Sequence, residues 1–402
     1  MLSQQDLADT IRNAVQSLLT PGWLMPEGGW GSWLGDVPNL WSTAEVLTLL
    51  KNSRLRDIGA FLPRPTVQPR NFETIIQEAV QYIESLGQDG AFKWSDAAEE
   101  PDPVSTAFAL EVFLQEDNQT DQIRRCVQYI QEVQAPDRGW DRQVHAQFAS
   151  SAISTAIVAL ALNRVKPVGP LTMLRGGPLA NAKAFFLSRA IQQDDGTMAW
   201  SRAAALPEVR ATAWVVYALH TIWHDDARAI PGAKWLKARQ NENGSWGEGE
   251  AGDIEDTAMT IIALLSTGEN PASQRIQRGI RYLNRELVRD PNGLFGYRAP
   301  NLRGAPGFEN AVSTPATYYA LLALLTYLDY AGEGGRPVFP PINWRSVLIN
   351  GVPLLGFVAF TLMAAYYLFQ LGSSNSALLF SILGLIGMIV SGTFLIRGRS
   401  RR

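Results

Sequence analysis

The sequence predicts an all-α protein, with a helical-repeat domain of about six helix pairs over residues 1 to roughly 335 and two membrane-spanning helices after it. Three observations carry this reading. A threonine-led apolar block occurs six times, a pattern of helix end, glycine and aromatic ring recurs between the blocks, and two long uncharged runs close the chain. Self-similarity of this kind marks repeat architectures, in which each helix pair buries its apolar face only against its neighbours.

The threonines are Thr43, Thr106, Thr155, Thr212, Thr257 and Thr314, opening runs such as STAFALEVFL, STAIVALAL, ATAWVVYAL and DTAMTIIALL. Only the last has Pro315 in place of alanine. Four residues before them stand Asn39, Asp102, Ser151, Glu208, Asp253 and Asn310, nearly all of them side chains favoured at a helix N-cap. The runs are apolar almost all round and rich in alanine, as expected for helices buried on most sides. They form an inner layer.

The second helices end in a different pattern. Trp235-Leu236 is followed by Gln240 and then Gly244-Ser245-Trp246, and Tyr129-Ile130 by Gln134 and Gly139-Trp140. Looser copies run from Tyr82-Ile83 through Gln88 to Phe92, and from Phe186-Leu187 through Gln192 to Trp200. A glycine turn after a helix C-terminus folds an aromatic ring back onto neighbouring helices, while the glutamine satisfies exposed backbone groups. The pattern is expected to pin outer helices to inner ones.

Val347 to Leu371 and Ala377 to Ile396 carry no charge, and each is long enough to cross about 30 Å of hydrocarbon as a helix. Arg345 precedes the first, and Arg397, Arg399, Arg401 and Arg402 follow the second, whereas the link between them is uncharged. Positive flanks stay in the cytoplasm, so the chain is expected in the cell membrane as a multi-pass protein with the repeat domain on the cytoplasmic side. Domain bounds are then 1–331 for the repeats, 332–345 for a linker with Pro337, Pro340 and Pro341, and 346–402 for the hairpin and its basic tail. Met1 to Thr20 reads as an amphipathic helix and not as a signal peptide. A net charge of -3 leaves no electrostatic footprint for nucleic acid, and the single cysteine, Cys126, excludes an intramolecular disulfide or a cysteine zinc cluster.

The glutamine, glycine and tryptophan blocks, best seen at Gln240, Gly244 and Trp246, resemble the QW motifs of the prenyltransferase and squalene-oxidase repeat superfamily, which contains squalene-hopene cyclases and class II terpene cyclases. The resemblance covers roughly residues 20 to 330. It implies an α/α toroid, with inner helices around a central cavity.

Asp253-Ile254-Glu255-Asp256-Thr257-Ala258 resembles the Asp-x-Asp-Asp-Thr-Ala motif of class II cyclases, with glutamate at the middle position. In that family the middle acid protonates a terminal alkene or epoxide. The resemblance therefore implies Glu255 as the acid and Asp256 as its hydrogen-bonding support. Asp253 also fits the N-cap position of its repeat, whose first turn favours acids through the helix dipole. Among the repeats only the fifth places two acids at the Glu255 and Asp256 positions; the fourth places Arg210 there. Pairing of Arg210 with Glu255 is expected to lower the glutamate pKa and keep it ionised.

Arg210, Trp41, Trp214, Tyr217, Tyr318 and Tyr319 lie on predicted inner helices and are the expected cavity lining, the aromatics as cation-stabilising faces. His220 and His224, four apart, have a spacing that suits two zinc ligands, but packing and charge complementarity at a helix C-terminus explain them better. No metal or cofactor is expected.

Squalene-hopene cyclases use two helical domains and this chain offers one, so a complete site has to lie within one toroid or between it and a second copy, a partner or the bilayer. Two functions follow. One is a membrane-anchored, terpene-cyclase-like protein that cyclises an isoprenoid by protonation, drawing a lipophilic substrate from the bilayer. The other is a non-catalytic toroid that binds a lipid, a peptide or a membrane-protein partner.

Overall fold

A computed structural model describes residues 3–20, 23–26, 28–33, 36–58, 72–116, 120–142, 150–165, 177–202, 206–247, 252–289, 295–298 and 312–332. The chain divides into two compact units, Met1–Arg336 and Pro337–Arg402, and the described residues fall in the first. Among them no helix is long and apolar enough to cross a membrane. The hairpin expected at 347–371 and 377–396, and most of the linker before it, lie outside the described residues.

The described helices are α1 (Gln4–Leu18), α2 (Leu40–Leu50), α3 (Ser53–Asp57), α4 (Phe72–Ser85), α5 (Pro103–Phe113), α6 (Thr120–Glu132), α7 (Ala152–Arg164), α8 (Pro178–Ser188), α9 (Val209–Trp223), α10 (Asp226–Ala238), α11 (Ile254–Ser266), α12 (Gln274–Glu286) and α13 (Thr314–Gly332). The threonine-led helices α2, α5, α7, α9, α11 and α13 each pack on the next, and α13 packs back on α2, so they close a ring. Outside it α4 covers α2, α6 covers α5, α8 covers α7, α10 covers α9 and α12 covers α11. The last inner helix has no outer helix after it among the described residues. Instead α1, from the other end of the chain, packs on α13 and closes the toroid.

The amphipathic outer helices put one stripe inward: α12 buries Ile276, Ile280 and Leu283 and exposes Arg281 and Arg285. The inner helices are buried on nearly every side, with Ala107, Ala156, Ala213 and Ala258 at no exposure, small enough for close helix approach.

The repeated turns lock the two layers together through one hydrogen-bond scheme. The threonine hydroxyl on each inner helix accepts the backbone N–H of the turn aromatic: Thr43 from Trp30 (3.0 Å), Thr106 from Phe92 (3.1 Å), Thr155 from Trp140 (2.9 Å), Thr212 from Trp200 (2.9 Å) and Thr257 from Trp246 (2.9 Å). The indole N–H then donates to a carbonyl at the end of an outer helix, as Trp246 does to Leu236 (2.7 Å) and Trp140 to Ile130 (2.8 Å). Gln240 donates to the Gly244 carbonyl and to that of Arg275 in the next outer helix, both at 2.9 Å. Gly244 has φ +95, and a Cβ there would lie 2.6 Å from the Arg278 carbonyl oxygen, so only glycine fits. The turn N–H groups named here are thus paired, and a buried group left unpaired would cost about 1–3 kcal/mol.

Three sequence expectations are corrected here. The sixth repeat is set by Thr317 and Ser313, not by Thr314 and Asn310: Thr317 accepts the Tyr297 N–H (3.0 Å) and donates to the Ser313 carbonyl (2.7 Å), and Ser313 caps Ala316 (3.3 Å). Asn310 lies outside the described residues, and the Thr314 hydroxyl binds the Gly31 carbonyl (2.6 Å), joining the two ends of the chain. Two threonines three apart both precede apolar helix, and only the partner turn decides between them.

Glu208 makes no cap with its side chain; one methylene longer than aspartate, it accepts instead from Ser201 (3.3 Å). The turns are also not purely helical ends. Gly87–Gln88 (β1) pairs with Ala91–Phe92 (β2), and Ile191–Gln192 (β3) with Met198–Ala199 (β4). A three-stranded piece joins Leu287–Arg289 (β5), Phe295–Arg298 (β6) and Val312–Ser313 (β7). Such two-to-four-residue strands satisfy backbone groups that the glycine turns leave open.

Candidate functional site

Parallel inner helices bring their N-termini to one rim, and there the fourth and fifth repeats meet. The Arg210 guanidinium on α9 donates to three carboxylates at the start of α11: Nε to Asp256 Oδ1 (2.5 Å), Nη1 to Glu255 Oε2 (2.7 Å) and Nη2 to Asp253 Oδ1 (3.0 Å). Asp253 is at the same time the N-cap, accepting from the backbone N–H of Glu255 (2.8 Å) and of Asp256 (3.0 Å). The local reason is the repeat frame itself, which holds residue 253 extended before the helix and turns the next two acids toward α9.

The expected ion pair forms, but its expected effect does not follow. Burial pushes the Glu255 carboxyl up to about 7, against the pull of Arg210 and with help from Asp253 and Asp256. Asp256 is likewise pushed up to about 6 by burial, again opposed by Arg210. Burial works to lower the Arg210 pKa, and the three carboxylates, Glu255 first, more than reverse this. One guanidinium stands among three carboxylates in a low-dielectric setting, so burial and the repulsion between the acids raise the Glu255 and Asp256 pKa values against its pull. Asp256 accepts from Arg210, and the hydrogen bond expected between it and Glu255 does not form.

Below the rim the inner helices present a half-buried apolar stripe. On α7, Ile153, Ile157 and Leu160 are half-buried while the residues between them are buried. With α5, α9 and α8 on its other sides, the stripe faces the hollow. Phe108 on α5 and Trp214 on α9 occupy the same register as Ile157. Trp214 meets Tyr319 edge to face at 6.0 Å, although α11 separates their helices in the ring, and Tyr319 meets Tyr318 edge to face at 4.9 Å. Aromatic side chains therefore gather on the inward side of the ring.

Tyr217, Tyr318 and Tyr319 are buried, and burial raises each phenol above its ordinary pKa. Trp41 sits at the rim, donating its indole N–H to Ser105 (2.8 Å), with the Arg142 guanidinium 4.1 Å over its ring. Further down, Glu111 pairs with Arg164, yet burial pushes its carboxyl up to about 7. Outside the hollow, His220 Nδ1 lies 2.9 Å from Asp226, and His224, at φ +50, ends the helix. Among the described residues no group of three or more potential ligands is placed to hold a metal ion. Two open grooves, one by Val37, Pro38 and Tyr82 and one by Arg278, Arg281 and Arg285, lie on the outer helices and share no residue with the acid cluster.

Sequence reasoning passed over Glu45 and Glu111. Each is a lone carboxylate inside an otherwise apolar inner helix, and that interruption was the available signal. Glu45 is 3% exposed and lies one turn below the rim on α2.

No protein-family model matches the sequence, and no curated protein matches it. Solved structures do. The type II terpene cyclase MstE from Scytonema is similar at 15% identity and TM-score 0.55, over 82% of this chain and 99% of that one. A variant of it in complex with geranylgeranyl dihydroxybenzoate as substrate aligns at 16% identity and TM-score 0.55, over 81% and 98%. A family 76 glycoside hydrolase from Bacteroides thetaiotaomicron aligns at 9% identity and TM-score 0.55, over 82% and 78%. At these identities the likeness is one of fold, and the α/α toroid implied by the QW-like blocks is the fold found. Glycoside hydrolysis and terpene cyclisation share it, so function has to be argued from the site.

Proposed function

We propose that the toroid takes an isoprenoid into its hollow and starts its cyclisation by protonation. What supports this is a buried cluster of acids with raised pKa values at the rim of an inner ring that carries half-buried apolar and aromatic side chains. Alkene protonation needs an acid that still bears its proton at neutral pH, and burial of Glu255 among Asp253 and Asp256 provides one. Trp214, Tyr318, Tyr319 and Phe108 give aromatic faces of the kind that stabilise a carbocation. The similarity to a cyclase crystallised with a geranylgeranyl substrate supports the same class of ligand.

In this reading the two apolar C-terminal runs anchor the protein in the membrane with the toroid on the cytoplasmic side, and the substrate comes from the bilayer. Incubating the full chain in detergent or vesicles with geranylgeranyl diphosphate, geranylgeranyl dihydroxybenzoate and squalene, with mass spectrometry of the extract, tests it. Cyclised isomers are expected, and at least tenfold less of them from Glu255→Gln.

One observation favours a second reading, a toroid that binds a lipid, peptide or membrane-protein partner without chemistry: Arg210 reaches all three rim carboxylates, as a structural tie would. Tight retention of an unaltered isoprenoid, with no product from any of the three substrates, selects it.

A further inference from the structure

The acid at the rim is not the deepest one. Glu45 sits on α2 two residues after the repeat threonine, the same place that Phe108, Ile157, Trp214, Met259 and Tyr319 hold on the other inner helices. On α5, α7 and α9 this position is half-buried, and on α2, α11 and α13 it is buried. The Glu45 side chain is 3% exposed, the Tyr319 hydroxyl donates to it, and its Oε2 atom is buried with no hydrogen-bond partner. No arginine or lysine pairs with it among the described residues, in contrast to Glu111 and Glu255. A buried carboxylate without a cation is costly, whereas a neutral carboxyl needs only a modest set of partners. Burial first, and then the nearby Glu255 charge, hold it well above the usual carboxylate range, the Tyr319 hydrogen bond opposing.

From this placement we infer that Glu45 is the group that hands the proton to the isoprenoid alkene, and that the rim cluster of Glu255, Asp256 and Arg210 reloads it. The inference rests on the cyclisation reading above. In the step the Glu45 O–H bond breaks, and the π pair of the terminal alkene forms a new C–H bond at its less substituted carbon. The tertiary cation so made is attacked by the next alkene, whose π pair becomes a ring C–C bond. The last cation loses a proton from an adjacent carbon to water, giving a new C=C. Glu255 and Asp256, 18% and 12% exposed at the rim, return a proton from solvent to Glu45. One proton enters and one leaves, so the reaction is an isomerisation that needs no co-reactant.

The test compares the full-length wild type, Glu45→Gln and Glu255→Gln on geranylgeranyl dihydroxybenzoate, with kcat and KM measured separately, alongside infrared spectra in water and deuterium oxide. Gln keeps the size of the side chain and its hydrogen bond from Tyr319 but carries no transferable proton. Expected is a loss of kcat of at least about a hundredfold in Glu45→Gln with KM little changed, a smaller loss in Glu255→Gln, and a neutral-carboxyl band at pH 8 that vanishes in Glu45→Gln.

Normal kcat in Glu45→Gln beside an inert Glu255→Gln overturns the assignment and leaves the cyclisation reading standing. A wild type that forms no product overturns both. If Glu45→Gln does not fold, Glu45→Asp decides: pulling the acid back by one methylene should lower kcat ten- to hundredfold, and an unchanged kcat overturns the proposal.

Discussion

Two junctions of the ring are built on the same backbone frame and use it differently. Where the first repeat meets the second, the Trp41 indole of α2 donates to the Ser105 hydroxyl of α5 (2.8 Å), and Ser105 donates to Asp102 (2.5 Å). One buried carboxylate is there satisfied by a hydroxyl and by the N–H groups of Val104 and Ser105. Where the fourth meets the fifth, Arg210 stands in the register of Trp41, and the acids Glu255 and Asp256 in that of Val104 and Ser105. The cap and the threonine are common to both, so the frame belongs to the repeat and the chemistry to the two positions between. The first junction meets its one carboxylate with hydrogen bonds, although burial still raises the Asp102 pKa, whereas the second sets three carboxylates around one guanidinium.

The largest expected effect of breaking this contrast is at Arg210. Arg210→Met leaves buried carboxylates without their cation and should destabilise by about 3–5 kcal/mol near pH 8, measured by denaturant unfolding, while Trp41→Phe at the first junction should cost about 1 kcal/mol. The pH dependence has a definite sign. Glu255 and Asp256 have folded-state pKa values raised to about 7 and about 6, so the folded state binds more protons than the unfolded one between the ordinary carboxylate range and neutrality. Their contribution is then present at low pH and lost as pH rises through 6 to 7, which Glu255→Gln should partly flatten. An Arg210→Met defect equally large at pH 5 and pH 8 would show that the carboxylates do not hold their protons.

A smaller effect separates the two threonines of the sixth repeat. Thr317→Val strands the Tyr297 N–H and should cost about 2 kcal/mol, and Thr314→Val, which frees only the Gly31 carbonyl, about 1 kcal/mol or less. The reverse order in thermal unfolding would return the repeat to Thr314.

The smallest effect lies at the caps. Asn39→Ala should lower stability by about 1 kcal/mol because Asn39 caps Ser42 at 3.0 Å, and Glu208→Ala by less than about 0.5 kcal/mol because Glu208 caps nothing with its side chain. Equal losses would mean that position 208 serves its helix in another way.

Much of this architecture was legible in the chain. The apolar threonine runs announced the inner helices, and Gln240, Gly244 and Trp246 announced the turns, because helix capping and glycine geometry are local demands that recur as local patterns. The pairing of Arg210 with Glu255 was legible too, since adjacent repeats put equivalent positions side by side. Glu45 was harder to see. Its importance rests on Tyr319, far away in sequence, and on Glu255 two helices round the ring.

By itself, then, the sequence determined the helix pairs, the caps Asn39, Asp102, Ser151 and Asp253 and the acids at the fifth repeat, all consequences of contacts a few residues apart. The tertiary structure alone decided that α1 closes the ring on α13, that Thr317 and not Thr314 sets the last repeat, and that burial outweighs Arg210 at Glu255. Those outcomes depend on which groups meet across the toroid and on how much water is left between them, and neither quantity is written in any short stretch of chain.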